Sequence, residues 1–470
     1  MIWASVEKFG IMGVSCIANI VLARLLTPSD FGAIGMLTIF VLIATTFIDG
    51  GFGSALIQKK EPTQTDYSTI FYINIVVSVL LYLLLYVSAP YIAEFYRMEI
   101  LKNVLRVLGV ILILNALCMI QTNRLKKNLK FKKFSIISLI GIVTGASIAI
   151  VMASRGYGVW SLVWMQLINN GTATLLFWIF GQWKPSWAFS IDSVKQLFGF
   201  GSFLLLSNLI NNTCNNIQGL IIGRMFSPAI MGYYSQARKL EEIPSTSIST
   251  IVDNVSYPVM SGYQNNHPQL VYVLRKFIAV LAFLTIPVML LLIIIGKPLV
   301  ILLFSEKWVP CVPYFQILCL GGIALYLQSI NYNAIAAIGR SRELFKWTLI
   351  KRGIALGLII IGSFFGIYGL LVGTALGSWV VYLCNSYLVS VYLNFTIREQ
   401  LRDLGPILLI SAISFVVAYL PGIIWGSQIY ILQVVCFISV YLGVSYFIDF
   451  SALSDLKGIV YTLIKHDNKP

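Results

Sequence analysis

The stretch Arg24-Leu25-Leu26-Thr27-Pro28-Ser29-Asp30-Phe31-Gly32 recurs in outline as Arg224-Met225-Phe226-Ser227-Pro228-Ala229-Ile230-Met231-Gly232. Both copies read Arg-x-x-hydroxyl-Pro-x-x-x-Gly, and the shared positions are offset by 200 residues. Each copy lies between two apolar runs. Proline fixes φ and glycine favours turns, so each copy predicts a tight turn between helices. The repetition predicts a duplicated membrane unit.

The composition excludes a soluble globular protein. Of the 470 residues, 58% are hydrophobic and 11% are charged. Apolar runs of about 20 residues match a bilayer core, and a lipid-exposed span must satisfy its own backbone as a helix. The runs lack the short alternating segments of a membrane β-barrel. Fourteen runs are predicted as spans: 9–26, 34–57, 70–92, 101–120, 134–153, 159–180, 197–222, 229–260, 277–295, 312–338, 347–365, 367–393, 407–420 and 423–450.

The basic residues are distributed unequally between the two sides of the predicted membrane. Loops on the side of 123–134 and the tail carry 20 of the 33 Lys and Arg residues, and the opposite loops carry 8. A cytoplasmic excess of basic residues is the usual rule, so both termini are predicted to be cytoplasmic. The net charge of +15 is therefore a feature of membrane topology, and no nucleic-acid partner is predicted.

The sequence offers little for catalysis or metal binding. The seven cysteines are scattered and form no CxxC pair, which is typical of small buried residues. The two histidines, His267 and His466, lie in predicted cytoplasmic segments away from acid or cysteine clusters. No catalytic residue, metal site or cofactor is predicted.

The order of the runs predicts the domain organisation. Residues 1–183 form an N-terminal lobe of six helices, 184–195 a polar cytoplasmic linker, and 196–396 a C-terminal lobe of six helices. The lobes have the same orientation, as in a parallel repeat. Residues 397–470 add two helices and a cytoplasmic tail.

Charged residues within the predicted spans are the candidate functional residues, because a charge at the bilayer centre costs about 2.5–3.5 kcal/mol even on insertion scales. Pro244 is predicted to break the helix that carries most of them. Either a structural ion-pair cluster or a hydrophilic cavity explains that set. Hydrogen bonding to a neighbouring helix also explains Asp49, and snorkelling also explains Lys351 and Arg352. The candidates are Asp49, Arg238, Lys239, Glu241, Glu242, Asp253, Lys351 and Arg352.

Amide side chains follow one face of the predicted seventh span. They recur at three- and four-residue spacing, which places them on one side of a helix. They serve either interhelical hydrogen bonding or the binding of polar groups such as sugars. The set comprises Asn208, Asn211, Asn212, Asn215, Asn216 and Gln218.

Three motifs resemble those of the polysaccharide-biosynthesis flippases, within the multidrug/oligosaccharidyl-lipid/polysaccharide exporter superfamily. They are Leu22-Ala23-Arg24-Leu25-Leu26-Thr27-Pro28-x-x-Phe31-Gly32, Asp49-Gly50-Gly51-Phe52-Gly53-Ser54-Ala55-Leu56-Ile57-Gln58 and Gly156-x-Gly158-Val159-Trp160-Ser161-Leu162-Val163. Such proteins export lipid-linked units of O-antigen, colanic acid and teichuronic acid. The resemblance implies an all-α, V-shaped fold of two six-helix lobes, with a central cavity open to alternate sides.

The resemblance further implies a bacterial inner-membrane protein that moves undecaprenyl-pyrophosphate-linked oligosaccharide outward. Arg and Lys suit the anionic head group, so Arg238, Lys239, Lys351 and Arg352 are assigned to it, and Asn211 and Asn215 to the sugars. Asp49, Glu241, Glu242 and Asp253 are assigned to ion coupling or ion pairing. Membrane lipids, a polysaccharide polymerase and chain-length proteins are the expected partners. The paired turns are expected to act as equivalent outer hinges through Arg24, Pro28, Gly32, Arg224, Pro228 and Gly232.

Other functions remain open from the sequence. A cation-coupled multidrug exporter of the same superfamily would require an acidic, aromatic pocket, and the cations within the spans argue against it. A membrane glycosyltransferase or polymer ligase would require a catalytic residue in a large outer loop, and the outer loops are short. A scaffold for polysaccharide assembly is the third alternative.

Overall fold

The computed structural model of the chain describes residues 2–50, 52–425 and 430–447, and within these ranges it is helical, with no β-strand. The helices are α1 (Ile2–Leu25), α2 (Pro28–Asp49), α3 (Phe52–Gln58), α4 (Gln64–Phe95), α5 (Ile100–Leu108), α6 (Val110–Lys127), α7 (Phe131–Ser154), α8 (Val159–Gly181), α9 (Ile191–Met225), α10 (Pro228–Gly262), α11 (His267–Phe304), α12 (Val312–Ala337), α13 (Ser341–Ser363), α14 (Gly366–Leu393), α15 (Ile397–Trp425) and α16 (Tyr430–Phe447). A short 3₁₀ turn, Glu306–Cys311, connects α11 to α12.

Eight segments of the described chain are long and apolar enough to cross a bilayer. Two shorter apolar helices, Phe9–Leu25 and Tyr430–Tyr446, fall below that length. The all-helical prediction is therefore confirmed, and the chain carries several segments suited to a membrane. The eight segments are Pro28–Asp49, Gln64–Phe95, Ile100–Lys127, Phe131–Ser154, His267–Phe304, Glu306–Ala337, Gly366–Leu393 and Ile397–Gly422.

The predicted second run, 34–57, divides into two helices. Gly50 adopts a left-handed conformation with φ of 49°, and its N–H donates to the carbonyl of Thr46. Glycine reaches this conformation without steric cost, so it ends α2. Asp49 is therefore the last residue of α2, whereas the prediction placed it in the interior of a longer helix.

The chain divides into two compact units, Met1–Ser235 and Gln236–Pro470. The division falls within α10, while the sequence places the lobe boundary at 184–195. The compact units are defined by packing between helices, whereas the predicted lobes are defined by where the sequence pattern repeats. The domain boundaries 1–183, 184–195, 196–396 and 397–470 thus stay predictions.

In the first unit, the polar segment after α8 is fixed to the start of α4. Gln64 Nε2 donates to the carbonyl of Lys184 over 2.7 Å, and Trp183 Nε1 donates to Gln64 Oε1 over 2.8 Å. The N–H of Ser186 donates to Ser68 Oγ over 2.9 Å. Side chains of α4 thus satisfy backbone groups that no helix satisfies.

In the second unit, α13 and α14 approach closely along small residues. A methyl group at Gly362 or Gly373 would overlap the backbone of the opposite helix, at Gly369 and Leu358 respectively. Small residues at such a crossing permit tight helix packing, as is common between membrane helices.

Candidate functional site

The two repeated turns begin their helices in the same way. Thr27 and Asp30 form a reciprocal cap at the start of α2: the N–H of Thr27 donates to Asp30 Oδ2 over 2.9 Å, and the N–H of Asp30 donates to Thr27 Oγ1 over 3.4 Å. At α10, the N–H of Ile230 donates to Ser227 Oγ over 3.4 Å. The hydroxyl before each proline thus caps a helix, which explains its place in the motif.

The two turns also contact one another within the first unit. A methyl group at Gly32 would overlap the carbonyl oxygen of Pro228, and a methyl group at Gly232 would overlap that of Pro28. Both glycines are buried. The glycine and proline of the motif therefore make one reciprocal close contact between α2 and α10.

The two motif arginines end the preceding helices and are exposed. The guanidinium of Arg224 lies 4.9 Å from the ring centroid of Phe95, and its Nη1 donates to the carbonyl of Phe95 at the end of α4. An arginine beside a helix C-terminus satisfies carbonyls that have no intrahelical partner. Arg224 therefore caps the C-terminal end of α4, and Arg24 is the corresponding arginine at the end of α1.

Amides of α9 face α2 in the first unit. Asn212 Nδ2 donates to Thr46 Oγ1 over 2.9 Å, and Asn216 Nδ2 donates to the carbonyl of Asn212 over 2.9 Å. Asn211 is half-buried and Asn215 is exposed. The amide run therefore contains an interhelical bond and, beside it, amides that remain accessible.

Asp49 is exposed at the C-terminal end of α2. A carboxylate there faces the negative end of the helix dipole, which is unfavourable for its charge. The carboxylate therefore does not stabilise α2, and Asp49 remains accessible.

The second unit holds the charges of α10. Arg238 Nε and Glu242 Oε1 form an ion pair of 2.7 Å one turn apart, with the side chains 31% and 46% exposed. Glu241 is buried, and its Oε1 lies only 2.6 Å from where a methyl group at Gly322 of α12 would be. Lys239 is exposed. The side chain of Asp253 lies outside the described residues.

The helix α10 continues through Pro244, so the prediction that this proline breaks the helix is wrong. Membrane helices tolerate proline because neighbouring groups satisfy the freed carbonyl. The five α10 candidates thus lie on one continuous helix.

Lys351 is buried in the second unit and is only 5% exposed. Its Nζ donates to Asn385 Oδ1 of α14 over 2.8 Å and lies 5.5 Å from the ring centroid of Tyr332 of α12. Asn385 Nδ2 in turn donates to the carbonyl of Gln328 over 3.1 Å. The snorkelling interpretation does not fit a lysine held between helices in this way. The neighbouring Arg352 is half-buried.

The sequence analysis missed the partners of these candidates. Thr46, Asn385 and Tyr332 were not singled out, although each is a polar side chain within a predicted span. A search for polar residues in apolar runs, and not for charges alone, would have found them. Gly322 has no such signal, because its role depends on a side chain of another helix.

Two sequence relatives are named as biosynthesis proteins, one for teichuronic acid and one for lipopolysaccharide. Over 423 residues the chain is 27% identical to "Teichuronic acid biosynthesis protein TuaB" of Bacillus subtilis (strain 168), covering 89% of the chain and 87% of the relative. It is 24% identical to "Lipopolysaccharide biosynthesis protein WzxC" of Escherichia coli (strain K12), covering 91% and 88%. Both relatives are thus matched over most of their length.

Solved structures identify the fold. The "Lipid II flippase MurJ, inward closed conformation" superposes with a TM-score of 0.78 at 18% identity, covering 95% of the chain and 99% of that structure. An inward-facing multidrug resistance MATE family transporter of the MOP superfamily superposes at 0.65 and 14% identity, covering 81% and 94%. At these identities the likeness concerns the fold alone.

The family described as "Polysaccharide biosynthesis protein" matches residues 21–313, well over half of the chain. This range begins just before the first copy of the repeated turn and includes the second. It also contains the amide run of α9 and the charges of α10. The chain therefore belongs to the polysaccharide biosynthesis protein family.

Proposed function

We propose that the protein is a flippase that moves lipid-linked oligosaccharide units across the bacterial inner membrane for cell-surface polysaccharide synthesis. The family membership and the relatives matched over nearly their whole length support this proposal. The observation that carries it is the joint occurrence of that family with cations and amides on helices of an otherwise apolar chain. A lipid-linked sugar phosphate requires both kinds of group.

The proposed topology has fourteen spans, in two parallel six-helix repeats with two helices appended, and with both termini in the cytoplasm. The reciprocal contact of the two turns supports the duplication. The excess of Lys and Arg in the loops of one side supports the orientation. In this scheme the paired turns act as equivalent outer hinges during alternating access.

The proposed binding groups are cations and amides that the chain places within helices. Arg238 and Lys239 are the primary contacts of the pyrophosphate, because one is partly exposed and the other exposed. Lys351 and Arg352 form a second anionic contact, which requires Lys351 to leave Asn385. Asn211 and Asn215 bind sugar hydroxyls.

The acids have a separate proposed role. Asp49, Glu241, Glu242 and Asp253 either bind the ion that couples transport or form ion pairs with cations of the protein. Glu242 already pairs with Arg238, so an anionic substrate would compete with it for the same guanidinium. Such competition links substrate binding to the protonation or ion occupancy of the acid. A polysaccharide polymerase and chain-length proteins are the proposed protein partners.

Deletion of the gene tests this function. Lipid-linked oligosaccharide is expected to accumulate on the inner leaflet while surface polysaccharide falls, and the intact gene is expected to restore both. Surface polysaccharide at the normal level, with no accumulated intermediate, would exclude the proposed activity.

A further inference from the structure

A groove in the first unit lies apart from the residues proposed for transport. Its volume is about 470 Å³, and its lining comes from α4, α5, α6 and α8. The lining residues are Tyr82, Tyr86, Asn103, Arg106, Val107, Val110 and Trp160. This set combines three aromatic rings, one amide and one cation, and none of these seven lining residues carries a carboxylate.

The cation of this groove is held by an aromatic ring. The guanidinium carbon of Arg106 lies 4.2 Å from the ring centroid of Tyr86, and Nε donates to the carbonyl of Tyr86 over 3.4 Å. In the part of the chain that the structure describes, no ion pair neutralises Arg106, and no hydrogen bond of its Nη atoms is present. Ring contact fixes the guanidinium while its outer N–H groups remain available to an anion.

A glycine contributes to the shape of the groove. Gly109 joins α5 to α6, and a methyl group there would lie 3.0 Å from Cδ2 of Tyr82. The ring of Tyr82 therefore packs against the junction of α5 and α6, and its centroid lies 6.1 Å from that of Tyr86. The two rings form one wall of the groove.

The groove adjoins a face of α4 that is suited to lipid. Val79, Leu83 and Val87 are 37%, 50% and 66% exposed, and their four-residue spacing places them on one side of the helix. Tyr86 lies at the edge of that side. An acyl chain can follow the apolar face while its head group occupies the groove.

The groove is also placed at the depth of a head group. Trp160 is the second residue of α8 and lies two residues after Gly158, which ends the glycine turn of 156–158. The sequence assigns this turn to the outer side, and aromatic side chains prefer the membrane–water interface. An outer-leaflet lipid would meet the groove at its phosphate.

We propose that this groove binds the phosphate-bearing head group of an anionic phospholipid of the outer leaflet. The Nη groups of Arg106 bind the phosphate oxygens, Asn103 binds head-group hydroxyls, and Trp160 packs against the glycerol. The site selects phosphatidylglycerol over phosphatidylethanolamine, because the groove offers a cation and no acid to pair with an ammonium group. This inference does not depend on the transported substrate.

Native mass spectrometry of the purified full-length chain tests the site. Phosphatidylglycerol and phosphatidylethanolamine with identical acyl chains are added to the protein in detergent. The unmodified chain is expected to retain phosphatidylglycerol preferentially. Arg106→Gln is expected to weaken its binding about ten- to hundredfold, the usual effect of losing a hydrogen bond to a charged group, and Arg106→Lys is expected to recover part of it.

Arg155→Gln is the matched control, since Arg155 is exposed on the same predicted side and is outside the groove. It should bind phosphatidylglycerol as the unmodified chain does. If Arg106→Gln cannot be purified, Asn103→Leu provides the test, because Asn103 is exposed and its loss should weaken phosphatidylglycerol binding several-fold.

Three results would overturn the proposal. Equal binding of the two phospholipids by the unmodified chain would remove the selectivity. Unchanged binding after Arg106→Gln, or after Asn103→Leu where that variant is used, would remove the site. Displacement of the lipid by glycerol phosphate at a similar concentration would show a site for a soluble anion, since such a ligand makes no use of the apolar face.

Discussion

Gly32 faces the carbonyl oxygen of Pro228 so closely that no side chain fits between them, and Gly232 faces Pro28 in the same way. When residue i of one motif contacts residue j of the other and the reverse also holds, the two are related by local two-fold symmetry. Packing therefore explains the repeated pattern, because the glycine of each copy leaves room for the proline carbonyl of the other copy.

Gly32→Ala tests this contact. The methyl group would force the helices apart, and overpacking of this kind costs about 1–3 kcal/mol. Thermal unfolding of the purified protein in detergent is expected to occur at a lower temperature. Gly13→Ala is the control, because nothing lies within 4 Å of its added methyl group. Equal melting temperatures for the two variants would contradict the close contact.

Substitutions of Asn212 and Asn211 should have different effects, the first on stability and the second on transport. Asn212 bonds Thr46 of α2, and such bonds between membrane helices contribute about 0.6 kcal/mol on average. Asn212→Ala should therefore lower stability, and Thr46→Ala should remove most of the difference in a double-mutant cycle. Asn211→Ala should leave stability unchanged and reduce export. The reverse pattern would argue against a sugar-binding role for Asn211.

The Lys351–Asn385 bond predicts an asymmetric effect. Asn385→Ala leaves a buried ammonium group without its acceptor, whereas Lys351→Met removes the charge itself. Leaving a neutral amide unpaired costs about 1–3 kcal/mol, and leaving a buried charged group unpaired costs more. Denaturation should therefore show the larger loss for Asn385→Ala. A larger loss for Lys351→Met would contradict the buried state of Lys351.

Neutralising the exposed cations of α10 should affect transport more than stability. The Arg238–Glu242 pair is partly exposed, so it contributes about 0.3–0.5 kcal/mol. A combined Arg238→Gln and Lys239→Gln variant should fold normally and lose export of surface polysaccharide. Lys346→Gln, which removes the exposed pair of Lys346 with Glu343, is the matched control. Normal export with both α10 cations neutralised would remove them from the head-group site.

The sequence predicted well what depends on local pattern. Apolar runs predicted the helical class, and Pro28 and Pro228 are the first residues of α2 and α10. These signals are local because proline and capping residues act within one turn. Gly32 and Gly232 lie within these helices and not in the predicted turns, because each makes room for a neighbouring carbonyl.

The contacts between distant elements could not be predicted. The reciprocal packing of Gly32 with Pro228 depends on how α2 meets α10, and the bond of Lys351 to Asn385 depends on how α13 meets α14. Pro244 misled the prediction because proline disfavours an isolated helix, whereas tertiary neighbours can maintain one. The division of 34–57 at Gly50 was not predicted, because a left-handed residue follows from no hydrophobic periodicity.

Reconstitution into proteoliposomes tests the central claim most directly. A lipid-linked oligosaccharide is placed in both leaflets, and a reagent that cannot cross the membrane modifies the sugars exposed outside. The account predicts that the protein makes the protected half accessible within the assay, and that the Arg238→Gln and Lys239→Gln variant does not. If the protected fraction of the sugars is the same with and without the protein, in vesicles that contain the protein correctly folded, the claim is contradicted.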